Sequence, residues 1–267
     1  MGSPWCRAAS RAIRDFGRIR HRGNSAFDQA YMDAETGDSV RDRLALVFDR
    51  MQRAIREANR KEGDVRLVAA TKAVPPERIR DAIVGGLEIA GENRLQEALP
   101  KIEALKRDRI TWHFIGQLQR RKVRAVVGVF EVIHSIDSVE LATEIDRRAA
   151  AIGLRQKVLL EINVGAEQSK AGFLPQDVEK ALPRLAALEH VAVQGLMAIP
   201  PAASHPEASR PHFRCLRELA QRMMARGIPR ISLHELSMGM SNDYVVAIQE
   251  GATLIRLGTA IFGGRRD

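Results

Sequence analysis

A lysine amine attacks an aldehyde only when it has lost its proton, and a site of low polarity helps by lowering its pKa. Lys72 stands where such a site can form. It follows the apolar run Val65-Arg66-Leu67-Val68-Ala69-Ala70-Thr71 and precedes Pro75, which ends an extended register. Alone, the residue fits a solvated surface charge equally well. Two later segments offer a different chemistry. Ser237-Met238-Gly239-Met240-Ser241-Asn242-Asp243 leads into Tyr244, Ala247 and Ile248, which repeat at helical spacing up to Gly251. Arg256-Leu257-Gly258-Thr259-Ala260 follows directly on another apolar run. Small residues at a helix start present backbone N–H groups to a phosphate dianion, Ser241 and Thr259 add hydroxyls, and Gly258 lets the backbone come close. Two tight loops with capped helices would use the same residues, so spacing leaves both readings open.

The elements that must position these groups alternate regularly. Ser39 can cap a helix whose apolar positions Val40, Leu44, Val47, Met51 and Ile55 recur at spacings of three and four. Strand-like runs then follow at Val65 to Thr71, Leu87 to Gly91, Thr111 to Ile115, Glu131 to Ile136, Lys157 to Val164, Val191 to Ile199, Ile231 to Leu236 and Leu254 to Leu257. Amphipathic stretches separate them, such as Val139, Ala142, Ile145, Ala149 and Ile152 behind Asp137 or Ser138, with other helix starts behind Pro75-Pro76 and Pro175. Eight β/α alternations predict a (β/α)8 TIM barrel, with the Ser39 helix as an extra cover at one end. An open doubly wound sheet is the alternative, because alternation does not show closure. In a parallel barrel the βα loops converge at the C-terminal ends of the strands, and Lys72, Ser241 and Gly258 all fall just past such ends.

Composition narrows the classes. The net charge of +9 favours acidic ligands, but arginines are spread through every helical stretch with acids nearby, and only 2 Trp and 2 Tyr are available for base stacking. No nucleic-acid partner is expected. No apolar stretch is long enough to span a bilayer, so no membrane partner is expected either. Cys6 and Cys215 lie far apart without metal-ligand spacing, so neither a disulfide framework nor a metal site is indicated, and a reducing compartment fits. His234-Glu235 lacks the second histidine of a zincin, Gly258 to Arg265 lacks the Lys-Ser/Thr ending of a P-loop, and no GxSxG or GxGxxG occurs. His113, His134 and His234 sit inside strand-like runs and read as satisfied core or barrel-wall residues rather than ligands.

Residues 1 to 38 differ from the rest. Arg7, Arg11, Arg14, Arg18, Arg20 and Arg22 precede a Gly/Ser/Asn stretch and then Asp28, Asp33, Glu35 and Asp38. The segment reads as a disordered extension or, from its Arg-rich first half, a transit peptide. A cytoplasmic location is expected, or a mitochondrial one if the segment targets the chain. The domain proper is taken as residues 39–267.

Seven motifs, in order, carry a family resemblance: Ala70-Thr71-Lys72, Gly91-Glu92-Asn93, Trp112-His113-Phe114-Ile115-Gly116 continuing through Leu118-Gln119 to Lys122, Ser169-Lys170-Ala171-Gly172, Gly195-Leu196-Met197-Ala198-Ile199-Pro200, Leu236-Ser237-Met238-Gly239-Met240-Ser241, and Arg256-Leu257-Gly258-Thr259-Ala260-Ile261-Phe262-Gly263. Together they resemble the pyridoxal 5'-phosphate (PLP) homeostasis protein family. Arg94 and Arg121, both rim positions, depart from the usual pattern. The resemblance implies the alanine racemase N-terminal barrel fold, with PLP as an internal aldimine on Lys72. It further implies Asn93 beside the cofactor, Arg256 at the pyridine nitrogen, Ser241, Gly258 and Thr259 on the phosphate, and Ser237 and Met197 as pocket neighbours.

Such a barrel invites a racemase or lyase as the alternative function. Racemisation needs a base on each face of the substrate carbanion, which alanine racemases meet with a tyrosine from a second domain. The tyrosines here are Tyr31 and Tyr244, and the sequence ends at Asp267, so no such domain is expected. Arg256 at the pyridine nitrogen would also disfavour its protonation and weaken carbanion stabilisation. The expectation is a non-catalytic PLP carrier, a monomer or weak dimer, that delivers the cofactor to PLP-dependent apo-enzymes.

Overall fold

A computed structural model of the chain describes residues 39–264. The expectations for residues 1–38 therefore lie outside the described residues. The first helix, α1 (Val40–Glu57), forms where its periodicity places it: the Ser39 hydroxyl accepts from the Asp42 N–H, and Val40, Leu44, Val47, Met51 and Ile55 are buried. Eight parallel strands follow: β1 (Arg66–Ala70), β2 (Ile89–Glu92), β3 (Thr111–Phe114), β4 (Val132–Ile136), β5 (Gln156–Glu161), β6 (Val191–Met197), β7 (Ile231–Ser237) and β8 (Leu254–Leu257). They form a closed barrel in sequence order, and β8 returns to β1 with Val68 opposite Arg256. Closure excludes the open sheet.

The helices between strands are α2 (Pro76–Val84), α3 (Leu95–Ala104), the short α4 (Val123–Val126) behind a 3-10 turn, α5 (Val139–Ala150), α6 (Val178–Ala186), α7 (Arg210–Met224), α8 (Tyr244–Gln249) and α9 (Thr259–Phe262). Ser138, not Asp137, caps α5, through the Leu141 N–H. Beyond Pro175 the chain first makes a turn, the Asp177 N–H donating to the Leu174 carbonyl, so α6 starts only at Val178. Because α9 has only 4 residues, the β8–β1 seam needs another cover. Helix α1, the extra N-terminal helix expected, packs on α2, α8 and α9 and supplies it.

The core divides in two. A large cluster fills the space between barrel and helices, while Val68, Ile89, Val132, Leu159, Met197 and Leu254 form a smaller one inside the barrel. At this interior the chains approach closely: a Cβ on Gly195 of β6 would lie 1.9 Å from the Glu235 carbonyl oxygen of β7. Polar groups share the barrel with this small apolar cluster.

Candidate functional site

Lys72 lies just past the end of β1, in a turn closed by the Val74 N–H donating to the Thr71 carbonyl. Lys72 is exposed in this turn. Ala73, beside it, has φ 57°, an uncommon conformation for a residue with a Cβ. The turn is held from below. Thr71 Oγ1 donates to Glu92 Oε1 at 2.6 Å, and Lys101 Nζ donates both to that oxygen and to the Thr71 carbonyl, each at 2.7 Å. Glu92 is fully buried and Lys101 nearly so.

Asn93 follows β2 directly, and Gly116 makes room for it: a Cβ there would meet the Asn93 carbonyl oxygen at 2.2 Å. The Asn93 Oδ1 atom is buried without a hydrogen-bond partner. A buried polar atom left in this way costs stability unless something binds to it.

Arg256, on β8, is 6% exposed. Its Nη1 donates to Ser237 Oγ at 2.7 Å and its Nη2 to the Ala198 carbonyl at 3.0 Å. Burial lowers its pKa to about 10, against the opposing charges of Asp243 and Glu161, so it keeps its proton at neutral pH. Met197 is buried in the inner apolar cluster, paired in register with Ser237. Ser237 in turn lies 2.9 Å from His134 Nδ1, and His134 Nε2 lies 2.9 Å from His113 Nδ1. Desolvation drives both imidazoles toward neutrality, His113 to about 4 and His134 well below its ordinary value. These two histidines are the satisfied barrel residues expected. His234 is not: it is exposed. His234 lies where the register is irregular: between the pairs Val193–Ile231 and Gly195–Glu235 the strand β7 spends two more residues than β6.

The two phosphate-type loops meet. Ala260 N–H, in the first turn of α9, donates to Ser241 Oγ at 3.3 Å. Asp243 folds the Ser241 loop by accepting from the Met240 N–H at 2.7 Å and from Ser209 Oγ at 2.8 Å. Thr259 is exposed at the α9 start. Gly258 has φ −120°, and a Cβ there would touch only Ala70 atoms, at 3.4 Å or beyond. A Cβ at this position would make only ordinary contacts with the end of β1.

All eight predicted positions thus fall on one arc, at or just past the C-terminal ends of β6, β7, β8, β1 and β2, which are consecutive neighbours in the barrel. The sequence reading missed Glu92, Lys101 and Asp243 as supports. It also missed Glu161, at the end of β5, whose carboxyl is pushed up by burial and by Asp137 while Arg256 opposes the shift. A surface cleft lined by Gln176, Glu179, Lys180, Pro183, Arg226 and Ile228 lies at α6 and contains none of these groups.

Comparison with known proteins adds independent findings. Residues 47–266 match the family model for the alanine racemase N-terminal domain. The chain is 46% identical over 225 residues to the pyridoxal phosphate homeostasis protein of Aquifex aeolicus, covering 84% of this chain and 98% of that one. It is 43% identical over 202 residues to the protein of the same name from Synechocystis, covering 75% and 92%. Among solved structures it is similar to PipY of Synechococcus elongatus with PLP bound, at TM-score 0.74 and 36% identity, covering 84% of this chain and 100% of that one.

Proposed function

The chain belongs to the pyridoxal phosphate homeostasis protein family, and we propose that it binds PLP at the barrel mouth and releases it to apo-enzymes without efficient turnover of its own. The observation that carries this reading is the single arc on which an exposed amine, Lys72, shares the rim with a buried, doubly anchored Arg256. PLP supplies an aldehyde and an electron-withdrawing ring. Lys72 offers the amine that captures the aldehyde, and the Ser241, Gly258 and Thr259 loops offer the hydroxyls and backbone N–H groups suited to a phosphate. Asn93, with an unused buried oxygen, fits a ligand at this place. Ser237 and Met197 form the wall behind Arg256.

Arg256 favours the carrier reading over a catalytic one. An acidic partner would keep a pyridine nitrogen protonated, whereas a guanidinium held by Ser237 and Ala198 presents only donors, which favour an unprotonated nitrogen. The ring is then a poor electron sink. A ligand attached by one reversible bond and one phosphate site can still be captured and released. The assay mixes common amino acids with the PLP-loaded protein in deuterated water and follows exchange at Cα, beside reactivation of an apo-aminotransferase. The expected result is reactivation with negligible exchange. Exchange at the usual enzymatic range of about 1 to 1,000 per second overturns the carrier reading, and failure to reactivate removes delivery from it.

A further inference from the structure

Both residues that flank Lys72 are tied to the same helix. On its N-terminal side, the Thr71 carbonyl accepts from Lys101 Nζ at 2.7 Å. On its C-terminal side, the Ala73 N–H donates to Glu97 Oε2 at 3.2 Å. Glu97 and Lys101 are one turn apart on α3, so their side chains leave the same helical face. The grip extends to β2. Lys101 Nζ also donates to Glu92 Oε1 at 2.7 Å, and Thr71 Oγ1 reaches that oxygen and the Gly91 carbonyl. Glu92 immediately precedes Asn93.

We infer that Lys101 and Glu97 are positioning residues for Lys72: α3 clamps the turn on both sides and, through Glu92, sets it against Asn93. A turn with an alanine at φ 57° would otherwise relax toward the commoner right-handed conformations and carry the amine with it. The buried ion pair suits this task better than a stabilising one, because desolvation offsets much of its attraction while its geometry fixes where both strand ends sit. The inference rests on the PLP reading of the site, and its consequence is specific. The clamp leaves the phosphate loops and Arg256 untouched, since Ser241, Gly258, Thr259 and Arg256 belong to β7, β8 and their loops.

The test compares two ligands. PLP uses the Lys72 amine, whereas pyridoxine 5'-phosphate has the same ring and phosphate but no aldehyde. Glu97→Ala removes one arm of the clamp at a partly exposed residue, and the double variant Glu92→Gln with Lys101→Met removes the other without leaving a buried charge unpaired. Each is expected to weaken PLP on the order of threefold to tenfold, the loss of one to two hydrogen bonds' worth of positioning. Pyridoxine 5'-phosphate should bind each variant as it binds the wild type. Equal losses for both ligands would mean a merely structural role, and no loss for either would mean no role; both results overturn the inference. If the double variant does not fold, Glu97→Ala decides by itself. Should the wild type bind neither ligand, the PLP reading falls with it, whereas binding of both without the split refutes the clamp only.

Discussion

Acid should weaken this fold through His113, and the size of the effect can be worked from its surroundings. The imidazole is 2% exposed and shares its Nδ1 with His134 Nε2. Desolvation is the main reason its pKa falls from 6.5 to about 4; Arg66 and Lys157 push the same way, and Glu131 opposes them. In the unfolded chain the ring takes up a proton near pH 6.5, while in the native state it resists until about pH 4. The unfolded state therefore binds more protons across that window, so stability is complete above about pH 6.5 and is lost as pH falls through the native value. At about 1.4 kcal/mol per pKa unit the loss amounts to about 3 kcal/mol from this residue, against a total domain stability on the order of 5–15 kcal/mol. His134 acts in the same direction. The assay is urea unfolding of the cofactor-free protein at intervals from pH 7 to 4, for the wild type and for His113→Asn, whose amide oxygen can still accept from His134 but does not titrate. Carboxylate titration is common to both proteins and cancels. The wild type should lose about 3 kcal/mol more than the variant over this range. Parallel curves would refute the argument.

Three other outcomes are expected. Gly258→Ala should leave the melting temperature of the cofactor-free protein nearly unchanged, since the added Cβ meets nothing closer than 3.4 Å, yet weaken PLP binding measured by absorbance titration. Pyridoxal, lacking the phosphate, should bind at least about a hundredfold more weakly than PLP, because the charge-assisted contacts of the Ser241 and Thr259 loops have nothing to hold; equal affinities would contradict the phosphate assignment. Lys101→Met alone leaves Glu92 charged and buried, which should cost about 3–5 kcal/mol in urea unfolding, and adding Glu92→Gln should recover much of it.

The fold was legible because each level of the sequence agreed with the next. The spacing of Val40 to Ile55 with Ser39 in front gave α1, and the eight apolar runs gave the strands within a residue or two at most ends. Closure was not legible, since the pairing of Val68 with Arg256 joins residues far apart in the chain. Nothing in the sequence singles out Lys101, because only the packing of α3 brings its amine under Thr71 and against Glu92. The same holds for the chain of contacts from His113 through His134 and Ser237 to Arg256, which crosses the inside of the barrel between four strands. Position past a strand end, by contrast, singled out Lys72, Ser241 and Gly258, which do lie just beyond β1, β7 and β8, because that rule depends only on strand direction. It could not foresee the Thr71 to Val74 turn in which Lys72 sits.

The central claim is that Lys72 carries the cofactor, and borohydride tests it most directly. The protein is loaded with PLP, its absorbance recorded, and the imine reduced so that the cofactor cannot leave during peptide mapping. The account predicts that the visible band disappears on reduction, that the added mass lies on the peptide containing Lys72, and that Lys72→Ala shows neither band nor label while keeping the wild-type fold. A label on another lysine, or an unchanged band in Lys72→Ala, would contradict it.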